Sequence, residues 1–252
     1  WPVYVINMAD SPERLERVAA ELDGAGIAWQ RIEAVDGRAL GADEVARVYD
    51  EDRNRRHARY PLVRGEIGVY LSHMACWQAL LDSEADGAIV LEDDFRVVGD
   101  LGGVVAALEG DAGAWDVAKL FSMKPVQWAA PTRSIGPELQ IGQPTRVPST
   151  MLGYAIRRRA AERLLQRSVP FFRPIDEDQK FHWEFGIKVA MVDPAPIAIG
   201  AQDTKVGTIG AARRAANRAD PRSWLARSLA GLRYQAGYRW GLIRSRNQRR
   251  GL

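Results

Sequence analysis

The sequence predicts an α/β fold: a mostly parallel central sheet with helices on both faces, followed by a basic C-terminal helical tail. Three observations predict it. Apolar, β-branched runs alternate with helical stripes along residues 1–210, the order expected of strands joined by crossover helices. Acidic or turn-forming residues directly follow several of those runs, the place where ligands collect in open α/β sheets. Arginine then accumulates after residue 210. The 252 residues are 46% apolar and 27% charged, which suffices for one sizeable core and excludes wholesale disorder, a collagen-like repeat and a disulfide scaffold.

Val3 to Asn7 suits a buried strand, and Ser11-Pro12 marks the start of a helix that reaches Leu22. Gly24 and Gly26 separate it from a second strand, Trp29 to Val35, which ends at the turn dipeptide Asp36-Gly37. Leu40 to Arg64 is highly charged with weak periodicity, and predicts a short helix and a mobile loop. Gly65 to Ser83 carries Ile67, Leu71, Met74, Trp77 and Leu81 in a helical stripe. Ala88 to Leu91 then reads as a buried strand running straight into Glu92-Asp93-Asp94. Val117 to Phe121 and Met151 to Ile156 complete the predicted strands. Helices are expected at Leu101 to Leu108, Arg158 to Gln166 and Asp176 to Gly186. Pro and Gly between Pro125 and Pro148 predict a long surface loop or a small hairpin. No run approaches 18 uncharged apolar residues and no signal-peptide pattern is visible, so a cytoplasmic chain is expected. Cys76 alone permits no intramolecular disulfide.

The net charge of +3 conceals an asymmetry. Residues 211–252 hold eleven Arg, no Lys and one acid, Asp220, so this segment is +10 and residues 1–210 are −7. The segment reads as an arginine-rich amphipathic tail on a domain spanning 1–210. Its Trp and Leu residues among arginines predict contact with an anionic membrane surface; the competing reading packs the apolar stripe on the domain. The acidic body gives no support for nucleic-acid binding.

Three successive carboxylates at the end of a buried strand repel one another unless a cation joins them. Glu92 and Asp94, two residues apart, would suit Mg²⁺ or Mn²⁺ with phosphate oxygens completing the shell; a solvated acidic turn is the alternative. Asp176-Glu177-Asp178 begins a predicted helix, where capping explains one or two acids and a general base would explain another. His73 reads as a packing residue of its helix, and the three histidines lack zinc-site spacing. No P-loop, nucleophile elbow or dinucleotide fingerprint is present.

Several blocks together resemble glycosyltransferase family 25: VYVINMADSPERLERV at the start, AVDG at Ala34 to Gly37, GEIGVYLSHMACWQAL at Gly65 to Leu80 and IVLEDDF at Ile89 to Phe95. The likeness continues through WDVAKL at Trp115 to Leu120, LGYAIRRRAAERLL at Leu152 to Leu165 and PIDED at Pro174 to Asp178. Val69 departs from it, since relatives often carry Cys there. The resemblance implies a GT-A-like fold, a nucleotide-sugar donor such as UDP-galactose, and inverting transfer assisted by Mn²⁺ or Mg²⁺ held by Glu92 and Asp94. It makes Asp176 and Glu177 the base candidates and places Asn7, Arg14, Asp36, Gly65, Glu66, Ser72 and His73 around the donor. Alanine- and arginine-rich usage suggests a bacterial enzyme whose saccharide acceptor is lipid-linked, as in lipooligosaccharide synthesis, acting peripherally at the inner face of the cytoplasmic membrane. A catalytically silent sugar- or nucleotide-binding module on the same fold is the alternative.

Overall fold

The computed structural model describes residues 1–200 and 207–247. The chain runs β1 (Val3–Asn7), α1 (Pro12–Gly24), β2 (Gln30–Glu33), α2 (Ala42–Val48), α3 (Glu51–His57), α4 (Arg64–Asp82), β3 (Gly87–Glu92), β4 (Phe95–Val97), α5 (Leu101–Gly110) and β5 (Val117–Lys119). It continues through β6 (Arg133–Gly136), β7 (Leu139–Gly142), β8 (Gly153–Arg157), α6 (Arg158–Ser168), α7 (Ile175–Lys180), α8 (His182–Phe185), β9 (Val189–Asp193), β10 (Ile197–Ile199), α9 (Gly207–Ala219) and α10 (Trp224–Asn247).

Over the described residues, eight strands form one sheet in the order β2-β1-β3-β8-β5-β9-β7-β6, and β4 pairs with β10 in a small antiparallel ribbon. Following the pairings across the sheet, β8 and β7 run against the common direction of the other strands. The sheet is therefore mostly parallel in strand direction yet mixed in its pairings.

Both faces are covered because alternate strand residues are apolar on both sides. Tyr4, Ile6, Val90, Val117 and Tyr154 pack with Trp77 and Leu80 of α4 and Leu164 of α6. Val3, Val5, Ile89, Leu91 and Ala118 pack with Val18 and Leu22 of α1 and Leu101, Val104 and Leu108 of α5. The segment Leu40 to Arg64, predicted as a short helix and a mobile loop, holds two short helices, α2 and α3, because Glu44 accepts from the Gly41 N–H at 2.6 Å and Asp50 caps Arg53 N–H at 2.8 Å. The predicted helix over Asp176 to Gly186 breaks at Phe181 into α7 and α8. Pro125 to Pro148 contains the β6–β7 hairpin, which extends the sheet edge.

The arginine-rich tail forms α9 and α10, and both touch the body. Arg213 pairs with Glu66, and Arg222 donates to the Arg55 carbonyl at 3.0 Å. A Cβ on Gly241 would fall inside the Trp183 ring, so glycine alone lets α10 lie this close. Arg249 and Arg250 of the basic run lie outside the described residues.

Candidate active site

The strand direction gathers the polar residues on one edge. β1, β3 and β5 end there at Asn7, Glu92 and Lys119, while β8 enters from that edge after Thr150 and Met151. Gly37 and Gly68 bring α4 against the Val35–Gly37 segment, since a Cβ on Gly68 would meet the Val35 carbonyl oxygen at 2.4 Å.

The β3 ladder stops at Glu92 and a turn follows, so the three acids enter different surroundings. Asp93 is buried; it accepts from Asn7 Nδ2 at 2.7 Å and pairs with Arg14 at 2.5 Å. Asn7 also donates to the Ser11 carbonyl at 3.0 Å and accepts from Arg31 Nε at 3.2 Å. Asn7 and Arg14 thus hold the acidic loop, and Arg14 reaches Asp94 only at 3.9 Å.

Glu92 faces His73, with Nε2 3.3 Å from Oε1. Behind the ring, His73 Nδ1 lies 3.0 Å from Tyr154 Oη, and the Trp77 indole N–H donates to the same oxygen at 2.9 Å. The indole fills one acceptor site of the phenol oxygen, and the Nε2–H tautomer of His73 lets the phenol donate to Nδ1 while the ring donates to Glu92. This chain orients Glu92 from beneath.

Asp94 is differently placed. Its Oδ1 is buried without a hydrogen-bond partner among the described residues. Burial, then the charge of Glu92, pushes its carboxyl up to about 6. An orphaned carboxylate oxygen beside a second, oriented carboxylate fits a hard divalent cation. Among the described residues no three His, Cys, Asp or Glu converge on one point. A cation held by Glu92 and Asp94 would have to take its remaining ligands from outside that residue set.

The second acidic group divides the same way. Asp178 is consumed by Arg173 at 2.6 Å and Tyr70 at 2.8 Å, a buried ion pair. Glu177 has both oxygens engaged: Lys180 Nζ donates to Oε1 at 2.6 Å, and the Tyr234 hydroxyl of α10 donates to Oε2. Asp176 makes no side-chain hydrogen bond among the described residues, and burial followed by the charge of Glu177 raises its carboxyl to about 6. Of the two base candidates, Asp176 is the one with open oxygens.

Lys119 links the two acidic groups. It is fully buried, donates to the Thr150 carbonyl at 2.5 Å, and feels the charges of both Asp176 and Glu92. Burial lowers its ammonium to about 7.

Other predicted donor residues have structural partners. Ser72 accepts from Val35 N–H at 2.8 Å and donates to the Gly68 carbonyl at 2.7 Å, so its hydroxyl ties α4 to the segment after β2. Glu66 is buried, accepts from Val63 N–H at 2.9 Å and from Arg213 Nε at 2.7 Å. Gly65 lies under Ile209 of α9, 3.0 Å from where its Cβ would be. Asp36 is partly exposed; its hydrogen bond from Arg38 holds its carboxyl below the ordinary value. The sequence reading missed Tyr154, Lys119, Arg213 and Tyr234. A lysine inside the apolar run Val117 to Phe121 was the available signal for Lys119, whereas nothing local marks Tyr234.

The family model described as "Glycosyltransferase family 25 (LPS biosynthesis protein)" matches residues 1–178. Procollagen galactosyltransferase 1 of Danio rerio is 30% identical over 185 residues, covering 69% of this chain and 30% of that protein. A glycosyltransferase 25 family member of Aedes aegypti is 29% identical over 186 residues, with the same two shares of 69% and 30%. The human protein named "Inactive glycosyltransferase 25 family member 3" is 30% identical over 196 residues, again 69% and 30%. The chain thus spans about 30% of the length of these curated relatives.

Proposed function

Because the chain belongs to glycosyltransferase family 25, we propose that it transfers a hexose, galactose, from a nucleotide-diphosphate donor such as UDP-galactose to a saccharide hydroxyl with inversion. The observation that supports this reading is that buried Lys119 feels the charges of both Glu92, neighbour of the orphaned Asp94, and the open Asp176. Glu92 and Asp94 would hold Mn²⁺ or Mg²⁺ against the donor's phosphates. That cation, when bound, neutralises charge developing on the leaving diphosphate.

Asp176 acts as the base. Its carboxyl accepts the acceptor hydroxyl's proton as the sugar oxygen attacks, on the face opposite the leaving group, as water is activated in inverting glycosidases. A carboxyl raised to about 6 is a stronger base than an exposed one and still ionised at neutral pH. The buried Lys119 ammonium offsets part of the negative charge crowded on this edge.

The acceptor proposed is a saccharide of a lipid-linked or surface glycan, with the enzyme peripheral to the inner face of a bacterial cytoplasmic membrane. The alanine- and arginine-rich composition supports this over a procollagen acceptor, which the names of several relatives suggest. A silent binding module is the second reading, favoured by the human relative named inactive. The test is a donor screen with and without Mn²⁺, following release of nucleoside diphosphate. Cation-dependent release from one donor is expected; binding without turnover of any donor and with every acceptor class would leave only the silent module.

A further inference from the structure

Helix α10 has two apolar faces, and among the described residues only one is covered. Its inner face carries Ala230 and Tyr234, both buried, with Tyr238 against Phe181 and Trp183 and Gly241 against Trp183. Its outer face carries Leu225, Leu229, Leu232, Trp240 and Ile243, exposed by 70%, 47%, 67%, 68% and 60%. These positions follow an i, i+4, i+7, i+15, i+18 spacing, with exposed Ala236 filling the gap at i+11, so they lie in one row. The row spans about 27 Å at 1.5 Å per residue.

Charge brackets that row. Arg239 lies along one edge, Arg233 and Arg244 along the other, and all three are exposed. Asp220, the one acid in residues 211–252, is held by Arg222 at 2.7 Å. Leucines, a tryptophan and an isoleucine in a straight row, edged by arginines and lacking acids, complement an apolar layer beneath anionic headgroups. Across the helix from this row, Tyr234 donates to Glu177 beside Asp176.

We propose that the outer face of α10 lies on an anionic lipid surface, while its inner face holds the acidic segment that bears Asp176. Membrane contact and packing on the domain then occur together on opposite sides of one helix. The site is set at a fixed distance of roughly one helix diameter, about 10 Å, from the lipid. This inference deepens the proposed action on a lipid-linked acceptor and rests on that reading for its purpose, but lipid binding requires no turnover.

The test is co-sedimentation of the full chain with phosphatidylglycerol-containing vesicles and with pure phosphatidylcholine vesicles, at low and high salt. Sedimentation is expected on the anionic vesicles alone and weaker at high salt. Two variant sets separate the contributions: Leu225→Ser with Leu232→Ser and Trp240→Ser, and Arg233→Gln with Arg239→Gln and Arg244→Gln. Each set should lower partitioning by about tenfold or more, and circular dichroism and donor hydrolysis should match the parent protein. Absence of parent binding to anionic vesicles at low salt would overturn the proposal. So would a concentration-dependent dimer that the serine set abolishes, which would make a second copy the occupant of the row. If the parent binds lipid but no donor is hydrolysed, the docking face stands and the transferase reading fails.

Discussion

At the residue scale, an arginine consumes one carboxylate of each acidic triplet, and in the second triplet Lys180 and Tyr234 engage another, which leaves Asp176 open. Arg14 takes Asp93, and Arg173 takes Asp178. Asp176→Asn should therefore lower turnover by about 10²-fold or more with donor affinity little changed, while Glu177→Gln, whose oxygens already have partners, should cost under about tenfold. Equal losses in steady-state kinetics would dissolve this distinction. Since the base must be ionised and its carboxyl is raised to about 6, the rate at saturating cation should fall as pH drops through that value. A flat profile there would remove Asp176 from the role. Asp94→Asn keeps the side chain's size while deleting an anionic oxygen, so Mn²⁺ affinity measured by calorimetry should fall by at least about tenfold. Both triplets are plain in the sequence, but which acid is spent is not: that depends on Arg14 and Arg173 folding back, a tertiary event without a local pattern.

At the element scale, the alternation of apolar strand and helical stripe was legible for β1, α1, α4, β3 and α6, because each has a strong period and clear end signals. β9 and β10 are less visible, since Val189–Asp193 and Ile197–Ile199 are short runs split by Pro194 and Pro196. The tail hid its partners most fully. Its arginines look like solvent charges in sequence, yet Arg213 meets Glu66 at the start of α4, where Glu66 also caps Val63. Because Glu66 is buried and Arg213 is about one-third exposed, screening leaves their pairing worth about 1–3 kcal/mol. Arg213→Ala should lower unfolding free energy by that amount, and a double-mutant cycle with Glu66→Gln should return most of it as coupling. Coupling under about 0.5 kcal/mol would reduce α9 to a passive cover. Tyr234→Phe tests α10 separately: loss of the hydroxyl donated to Glu177 should lower turnover about threefold to tenfold while the donor KM stays constant, the signature of an interaction that positions the acidic segment.

At the scale of the whole molecule, the sheet concentrates negative charge on one edge, and this makes stability depend on pH in a direction opposite to that of surface ion pairs. Asp94 and Asp176 rise from the ordinary 3.8 to about 6 through burial, and Asp93 and Asp178 also rise, again chiefly through burial. In the folded chain these groups retain protons that the unfolded chain has released, so their contribution is fully present below pH 3.8 and lost as pH climbs through about 6. Asp111 and Asp220, lowered by hydrogen bonds from Arg133 and Arg222 against the cost of burial, act the other way and lose their contribution as the medium becomes acid. Across pH 5 to 7, where Asp111 and Asp220 are ionised in both states and keep their contribution, the midpoint of the cation-free protein should therefore decline as pH rises. Scanning calorimetry in chelator across that range checks it. Asp176→Asn removes one ionisation without removing the side chain, so its midpoint should decline less steeply between pH 5 and pH 7 than that of the parent. Parallel curves for the two proteins would mean that Asp176 ionises in the folded chain as it does in the unfolded one, and the open carboxylate would then have no special basicity to offer an acceptor hydroxyl.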